Sequence, residues 1–381
     1  MGSLTLIAVT FLVNANLTDG ASSAESKAEL GPTALRTAYS KPPAEWPAMI
    51  VDEGVDAVEL GLLPDVEFPD DNPYTKEKAE LGRQLFYDPR LSASGEMACA
   101  SCHDPDLGWA DGRTVSFGRQ RLELHRNAPT AMNSGHTDVL FWDGRADSLE
   151  DLTLKVIENE DEMHGVGEEV AKIINDIPEY REQVKAVFGE DEVTINAITK
   201  SVATFIRTIN GGRSDFDRFL KGRPDALSDA ALRGLHLFRT KALCMNCHHG
   251  PTLSDNLLHA TGLSLYGTLR EDLGAYHVTG DPDDSGKFKT PPLRHVSRTG
   301  PYMHHGLFES LLVTVRAYNG GMIEPRPKKD RPNDPLLPKN SHLLHELNLT
   351  DSELHDLVAF LESLEEPHRR VLPPKLPPFT E

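Results

Sequence analysis

Two short stretches, CASCH at residues 99–103 and CMNCH at 244–248, hold all four cysteines of the chain, and whatever they anchor limits the fold more than any other feature. Cys-x-x-Cys-His is the attachment site of a c-type haem. The thiols of Cys99 and Cys102 would add across the two haem vinyl groups, with the adjacent His103 held under the iron as its ligand. Cys244, Cys247 and His248 would do the same for a second haem. The competing readings are a redox CxxC pair and a zinc site. A redox motif needs no histidine after it, and zinc would need both CxxC pairs as one four-thiolate set. Neither explains why both pairs end in histidine, so two covalently bound haems c are expected.

A chain of 381 residues can form two or three domains, and a hydrophobic content of 39% allows a sizeable core. The net charge of −20 argues against nucleic acid and anionic membrane as partners, and a basic redox partner would suit that field. Residues 4–13, LTLIAVTFLV, are too short an apolar run to span a membrane. They read as the core of a signal peptide-like segment at 1–24, although no Lys or Arg precedes them. Haem c is attached outside the bacterial cytoplasm, so the mature protein is expected in the periplasm, with no membrane span.

Residues 25–70 are polar and Pro-rich and read as a linker or surface-wrapping arm; the tail 367–381 reads the same way. Between them runs a weak internal repeat. GRQLFYDPRLS (82–92) precedes the first CxxCH and GLHLFRTKAL (234–243) the second, both with G-x-x-L-F on a helical pattern. Each half closes with an amphipathic helix. Ile195, Ile198, Val202, Phe205, Ile206 and Ile209 recur at helical spacing in the first, and Leu354, Leu357, Val358, Leu361 and Leu364 in the second. Thr350 and Glu353 form a capping box for the last helix. Loop and cap signals at Gly222–Ser228 divide the halves. The expected fold is mainly α: two cytochrome c-like haem domains, 71–225 and 226–366, packed together with long loops and an extended N-terminal arm.

Several motifs in order resemble those of the bacterial dihaem cytochrome c peroxidase and MauG superfamily. They are ELGRQLFYDPRLS, CASCHDP, RNAPT (126–130), FWDGRADSLED (141–151), CMNCHHGP, FKTPPLR (288–294) and TGPYMHHG (299–306), spread over roughly residues 70–365. The resemblance implies that function turns on the sixth ligand of each iron. Peroxidases of the superfamily carry a Met ligand on the C-terminal haem, twelve residues past the Gly of the PY-x-H-x-G motif; here that position is Tyr318. MauG-like members have tyrosine there, as does the related MbnH branch. Met322 and Met303 are rival ligands, with Met303 in a position the family leaves non-ligating. Soft thioether favours ferrous iron, whereas hard phenolate favours higher oxidation states.

The N-terminal haem would be the peroxide site. The histidine that blocks it in resting peroxidases, seven residues before the Arg of RNAPT, is replaced by Arg119, so this haem is expected to be open; His125 is close in sequence and reads as a surface or hydrogen-bonding residue. The family's distal acid–base Glu, twenty residues after the Trp of FWDGR, falls on Glu162, and its distal Gln is replaced by Leu152. Trp142 matches an inter-haem tryptophan that relays electrons. The family's one Ca2+ would take the side chain of Asn127 and the backbone carbonyls of Thr299 and Pro301.

Three functions are consistent with these residues. The first is an enzyme that uses H2O2 to form high-valent haem iron and oxidise a protein substrate, as MauG-like and MbnH-like proteins modify tryptophan. The second is a cytochrome c peroxidase drawing electrons from a small cytochrome, which expects Met where Tyr318 stands. The third is a non-enzymatic dihaem electron carrier. Tyr318 and Arg119 favour the first. No residue pattern names the partner or an oligomeric interface.

Overall fold

The computed structural model describes residues 31–378, so the signal-like run at 4–13, the first residues of the arm and the final residues 379–381 lie outside it. The described chain is mainly helical: α1 (Pro32–Tyr39), α2 (Lys76–Phe86), α3 (Leu149–Glu158), α4 (Gly167–Asn175), α5 (Pro178–Phe188), α6 (Ile195–Arg207), α7 (Asp215–Leu220), α8 (Asp229–Arg239), α9 (Tyr276–Thr279), α10 (Leu311–Asn319) and α11 (Asp351–Glu362). Long loops connect them. Among the described residues one small sheet forms, β1 (Leu258–Ala260) antiparallel to β2 (Lys287–Lys289). No helix of the described residues is long and apolar enough to cross a membrane.

Local chemistry starts these helices. Thr75, Ser148, Thr194, Ser214, Ser228, Ser310 and Thr350 each accept the backbone N–H three residues on, which satisfies a donor the helix itself cannot. The expected box at α11 is present: Glu353 returns a carboxylate to the Thr350 N–H at 2.7 Å.

The G-x-x-L-F repeat has a packing cause. α2 lies against α6 and α8 against α11. A Cβ on Gly82 would stand 1.8 Å from the Ser201 carbonyl oxygen, and one on Gly234 would stand 1.9 Å from that of Asp356. Only a residue without a side chain lets each helix pair close to backbone contact. The following Leu85 and Phe86, and Leu237 and Phe238, are then buried in two separate cores.

The first core gathers the apolar faces of α2 to α6; the second gathers α7, α8, α10 and α11. The arm belongs to the second. Its α1 supplies Leu35 and Tyr39, and Trp46 and Leu60 follow into the same core. Tyr39 Oη accepts from Arg239 Nη1 at 2.9 Å, and the buried Arg239 also pairs with Glu59. The described part of the arm is thus a layer packed into the second unit's core. The tail crosses the other way. Leu372 and Pro377 carbonyls accept from Arg83 (2.7 Å) and Arg90 (3.0 Å) on the first unit.

Candidate active site

The two CxxCH motifs fold alike. Each opens as a single 3-10 turn, Cys99–Ser101 and Cys244–Asn246. Each histidine N–H returns to the first cysteine's carbonyl, His103 to Cys99 at 3.1 Å and His248 to Cys244 at 2.8 Å. The four thiols are free, with no disulfide among them. His103 Nδ1 lies 2.9 Å from the Trp109 carbonyl and His248 Nδ1 2.8 Å from that of Leu253. A carbonyl only accepts, so Nδ1 carries the proton and Nε2 is left with its lone pair, the form a metal requires. Burial lowers the pKa of both imidazoles, against those carbonyl bonds, and favours this neutral state.

Beside the second motif lies a cavity of about 240 Å3 with mostly apolar walls, lined by Cys244, Cys247 and His248 among others. Tyr318, on α10, lines the same cavity. Its phenol makes no hydrogen bond among the described residues, and burial, with the Cys247 and Cys244 sulfurs adding to it, raises its pKa. A phenol so placed stays neutral unless a cation takes its oxygen, and ferric iron would reverse that preference. Of the two rival ligands, Met303 also lines the cavity and Met322 does not.

Near the first motif, Glu162 sits in the turn after α3, half-buried, with Oε1 accepting from Asn159 Nδ2 at 3.0 Å. Burial raises its pKa; the Arg145 charge pulls the other way and Asp161 pushes up again. It is close enough to both thiols of this motif for its charge to raise them. Arg119 stands beside the same turn, its N–H on the Asp161 carbonyl at 2.9 Å and its Nε on that of Glu160 at 3.3 Å. Its side chain is therefore spent on the loop that carries Glu162. His125 is exposed, and Leu152 packs against the first core.

Trp142 stands between the halves. Its indole Nε1 donates to the Asn127 carbonyl at 2.9 Å, its own carbonyl accepts from Lys289 N–H at 2.9 Å, and its ring lines the cavity. His304 meets it edge-on at 6.3 Å and stacks on Phe288 at 3.6 Å. Asn127 donates its backbone N–H to the His304 carbonyl (2.7 Å) and its Nδ2 to the Arg113 carbonyl (2.7 Å), which leaves Oδ1 as the free end. Asn127, Thr299 and Pro301, the residues expected to hold calcium, all line the cavity.

Sequence reasoning missed the ion pairs at this junction. Arg126 donates to Asp143 at 2.5 Å and makes a two-pronged bond to Asp272 at 2.7 and 2.9 Å. Asp143 also accepts from Arg145, at 3.0 and 3.1 Å. This ladder joins RNAPT to FWDGR and ties both to the second unit. Arg126 and Asp143 were visible as motif residues, but nothing around Asp272 marks it as their partner. Among the described residues one further group could hold a metal, Cys247, Asp255 and His259, with donor atoms within 4.8 Å. A thioether at Cys247 leaves only an Asp255–His259 pair, at 2.7 Å.

Comparison with known proteins agrees with this geometry. A family model described as di-haem cytochrome c peroxidase matches residues 76–225, the stretch with CASCH, RNAPT and FWDGR. The chain is 36% identical over 334 residues to cytochrome-c peroxidase IdrP1 of Pseudomonas sp. (strain SCT), covering 80% of this chain and 85% of that one. It is also 36% identical over 314 residues to methylamine utilization protein MauG of Methylorubrum extorquens, covering 82% and 85%. A crystal structure of a MauG-like protein associated with microbial copper homeostasis superposes with a TM-score of 0.71 at 32% identity, over 80% of this chain and 93% of that one. With two CxxCH turns that each present a neutral histidine, and with relatives that span both halves, the chain belongs to the di-haem cytochrome c peroxidase/MauG family of H2O2-using enzymes that carry two haems c.

Proposed function

We propose that this protein is a MauG-like member of the family, using H2O2 to oxidise a protein substrate, with tryptophan modification as the reaction, in the periplasm. The observation that carries the reading is Tyr318 on the wall of the cavity that holds Cys244, Cys247 and His248. Haem bound at the two motifs supplies the redox chemistry: reduction of peroxide and storage of its two oxidising equivalents. His103 and His248 would each hold an iron through Nε2, and Tyr318 would offer its oxygen to the second, an anionic ligand that favours the oxidised states.

The remaining roles fall to this chain's own groups. Glu162 moves a proton at its carboxylate beside the first haem; burial keeps its pKa above the ordinary carboxyl range, which suits an acid–base group. Arg119 is held on the Asp161 and Glu160 carbonyls, so its side chain would not serve as a ligand to the first haem. Trp142 passes electrons between the halves, its indole fixed by Asn127 and its backbone by Lys289. Asn127 Oδ1 and the carbonyls of Thr299 and Pro301 would hold one Ca2+, as hard oxygen donors suited to that ion. The partner is a protein too large to enter the cavity, so its electrons leave from the surface.

The competing reading is a peroxidase fed by a small cytochrome c, and relatives carry both names. Adding H2O2 to the untouched ferric protein, followed by EPR and near-infrared absorbance, separates them. Joint loss of both ferric signals with a new near-infrared band supports the MauG-like reading. A protein that responds only after one haem has been reduced is a conventional peroxidase.

A further inference from the structure

Lys289 is a buried cation without an anion. It ends β2, opposite Leu258 of β1, and its side chain lies in the cavity wall at 8% exposure. Among the described residues its ammonium has one partner, the Val139 carbonyl at 3.3 Å, and no carboxylate. The other buried cations are provided for. Arg90, Arg207, Arg239 and Arg294 each pair with a carboxylate, and Lys78 has two acceptors at 2.9 and 2.7 Å. An ammonium held in an apolar wall with one long hydrogen bond is costly to charge, and burial pulls the Lys289 pKa down to about 8. A nearby anion would remove that cost.

The geometry points to Lys289 as the carboxylate-binding residue of this cavity, its ammonium taking a propionate of the haem attached at Cys244 and Cys247. The inference rests on haem attachment at that motif. It follows from the chemistry of the group: the thioether bonds use the two vinyl substituents on one side of the macrocycle, and the two propionates leave from the opposite edge. With sulfurs at Cys244 and Cys247, the carboxylates must reach a wall away from them, and Lys289 is the unpaired cation on the walls of that cavity among the described residues. The same residue holds the Trp142 carbonyl on its N–H. The propionate edge of this haem would therefore face Trp142, and Lys289 is a positioning residue for the path between the halves.

The test is Lys289→Met in the full-length holoprotein, with Lys289→Arg alongside. Haem content is measured first, because two haems per chain confirm the attachment on which the inference rests. The midpoint potential of each haem is then read by spectroelectrochemistry. A cation beside a propionate favours the reduced haem, so Lys289→Met should lower the potential of the C-terminal haem alone. The expected size is about tenfold in its ferrous-to-ferric ratio, or ~59 mV for one electron. Lys289→Arg should restore it. An unchanged potential, or an equal shift at both haems, overturns the inference, since a residue that only braces Val139 and Trp142 would alter stability instead. Should Lys289→Met fail to fold, Lys289→Arg decides by resonance Raman: a propionate bending band that moves relative to wild type supports the contact, and an unmoved one overturns it.

Discussion

Replacing Asp272 by Asn tests the junction between the units. Burial alone would raise this carboxyl's pKa, but the bonds and charge of Arg126 outweigh that and bring it from the ordinary 3.8 to about 2. Such a fall corresponds to roughly 2 kcal/mol of folding stability. The sign follows from the direction. A carboxyl depressed in the folded state contributes fully above the unfolded pKa, here 3.8, and loses its contribution as pH falls towards 2. Asp272→Asn should therefore cost about 2 kcal/mol at pH 7 and about half as much at pH 3. Repairs within the ladder do not mask the cost, because Arg126 keeps Asp143 but loses the charge and one of its two acceptors on the second unit. Urea unfolding of wild type and variant at pH 7, 5 and 3, read by circular dichroism and by the haem bands, gives the difference directly. A penalty that is absent at pH 7, or that grows towards pH 3, refutes the assignment of this pair as the charged clasp between the halves.

Further expectations concern the helix crossings and the candidate site. Gly82→Ala and Gly234→Ala each place a methyl under 2 Å from a carbonyl oxygen, and each should cost about 3 kcal/mol or more in thermal unfolding, with α2–α6 or α8–α11 forced apart. Glu162→Gln should keep both haems yet slow the reaction with H2O2 by about 10²–10⁴-fold in stopped-flow absorbance. In wild type the rate should rise with pH through a pKa above 4.5, since burial raises this group despite Arg145, and that limb should vanish in the variant. Trp142→Phe strands the buried Asn127 carbonyl and should cost about 1–3 kcal/mol; it should slow substrate oxidation while the first haem still consumes peroxide, as measured by single-turnover spectra.

Legibility from sequence followed the range over which each residue's partner lies. The CxxCH turns close on themselves within five residues, so spacing alone was sufficient to read them. Tyr318 and Glu162 were reached only by counting along motifs of the resembled family; the first lines the cavity beside Cys244 and Cys247, and the second lies near the thiols of Cys99 and Cys102. The G-x-x-L-F repeat was visible too, though its reason was not: Gly82 answers to Ser201 and Gly234 to Asp356, each more than a hundred residues away. Composition left the arm open between two readings for the same reason. Its prolines and charges read as a linker or a surface-wrapping arm, and the apolar surroundings of Trp46 and Leu60 come from α8 and α11, far along the chain.

Charge shows the limit most clearly. A lysine and an aspartate look alike along the chain whether they are solvated, paired or stranded. Asp272 becomes a partner only when Arg126 is brought to it across 146 positions, and Lys289 becomes conspicuous only when every other buried cation is seen to be matched. Both lie at the junction that carries Trp142. Arg126 pairs there with Asp143 and Asp272, so the junction is held by partnered charges whose desolvation has to be offset by those bonds. On this argument Arg126 and Asp272 set how the halves meet, and Lys289 sets how the second haem lies against that meeting place. Exchanging the ladder for apolar residues should then leave a folded protein whose two haems respond to peroxide separately, and joint bleaching of both ferric signals in such a variant would count against the ladder as the coupling element.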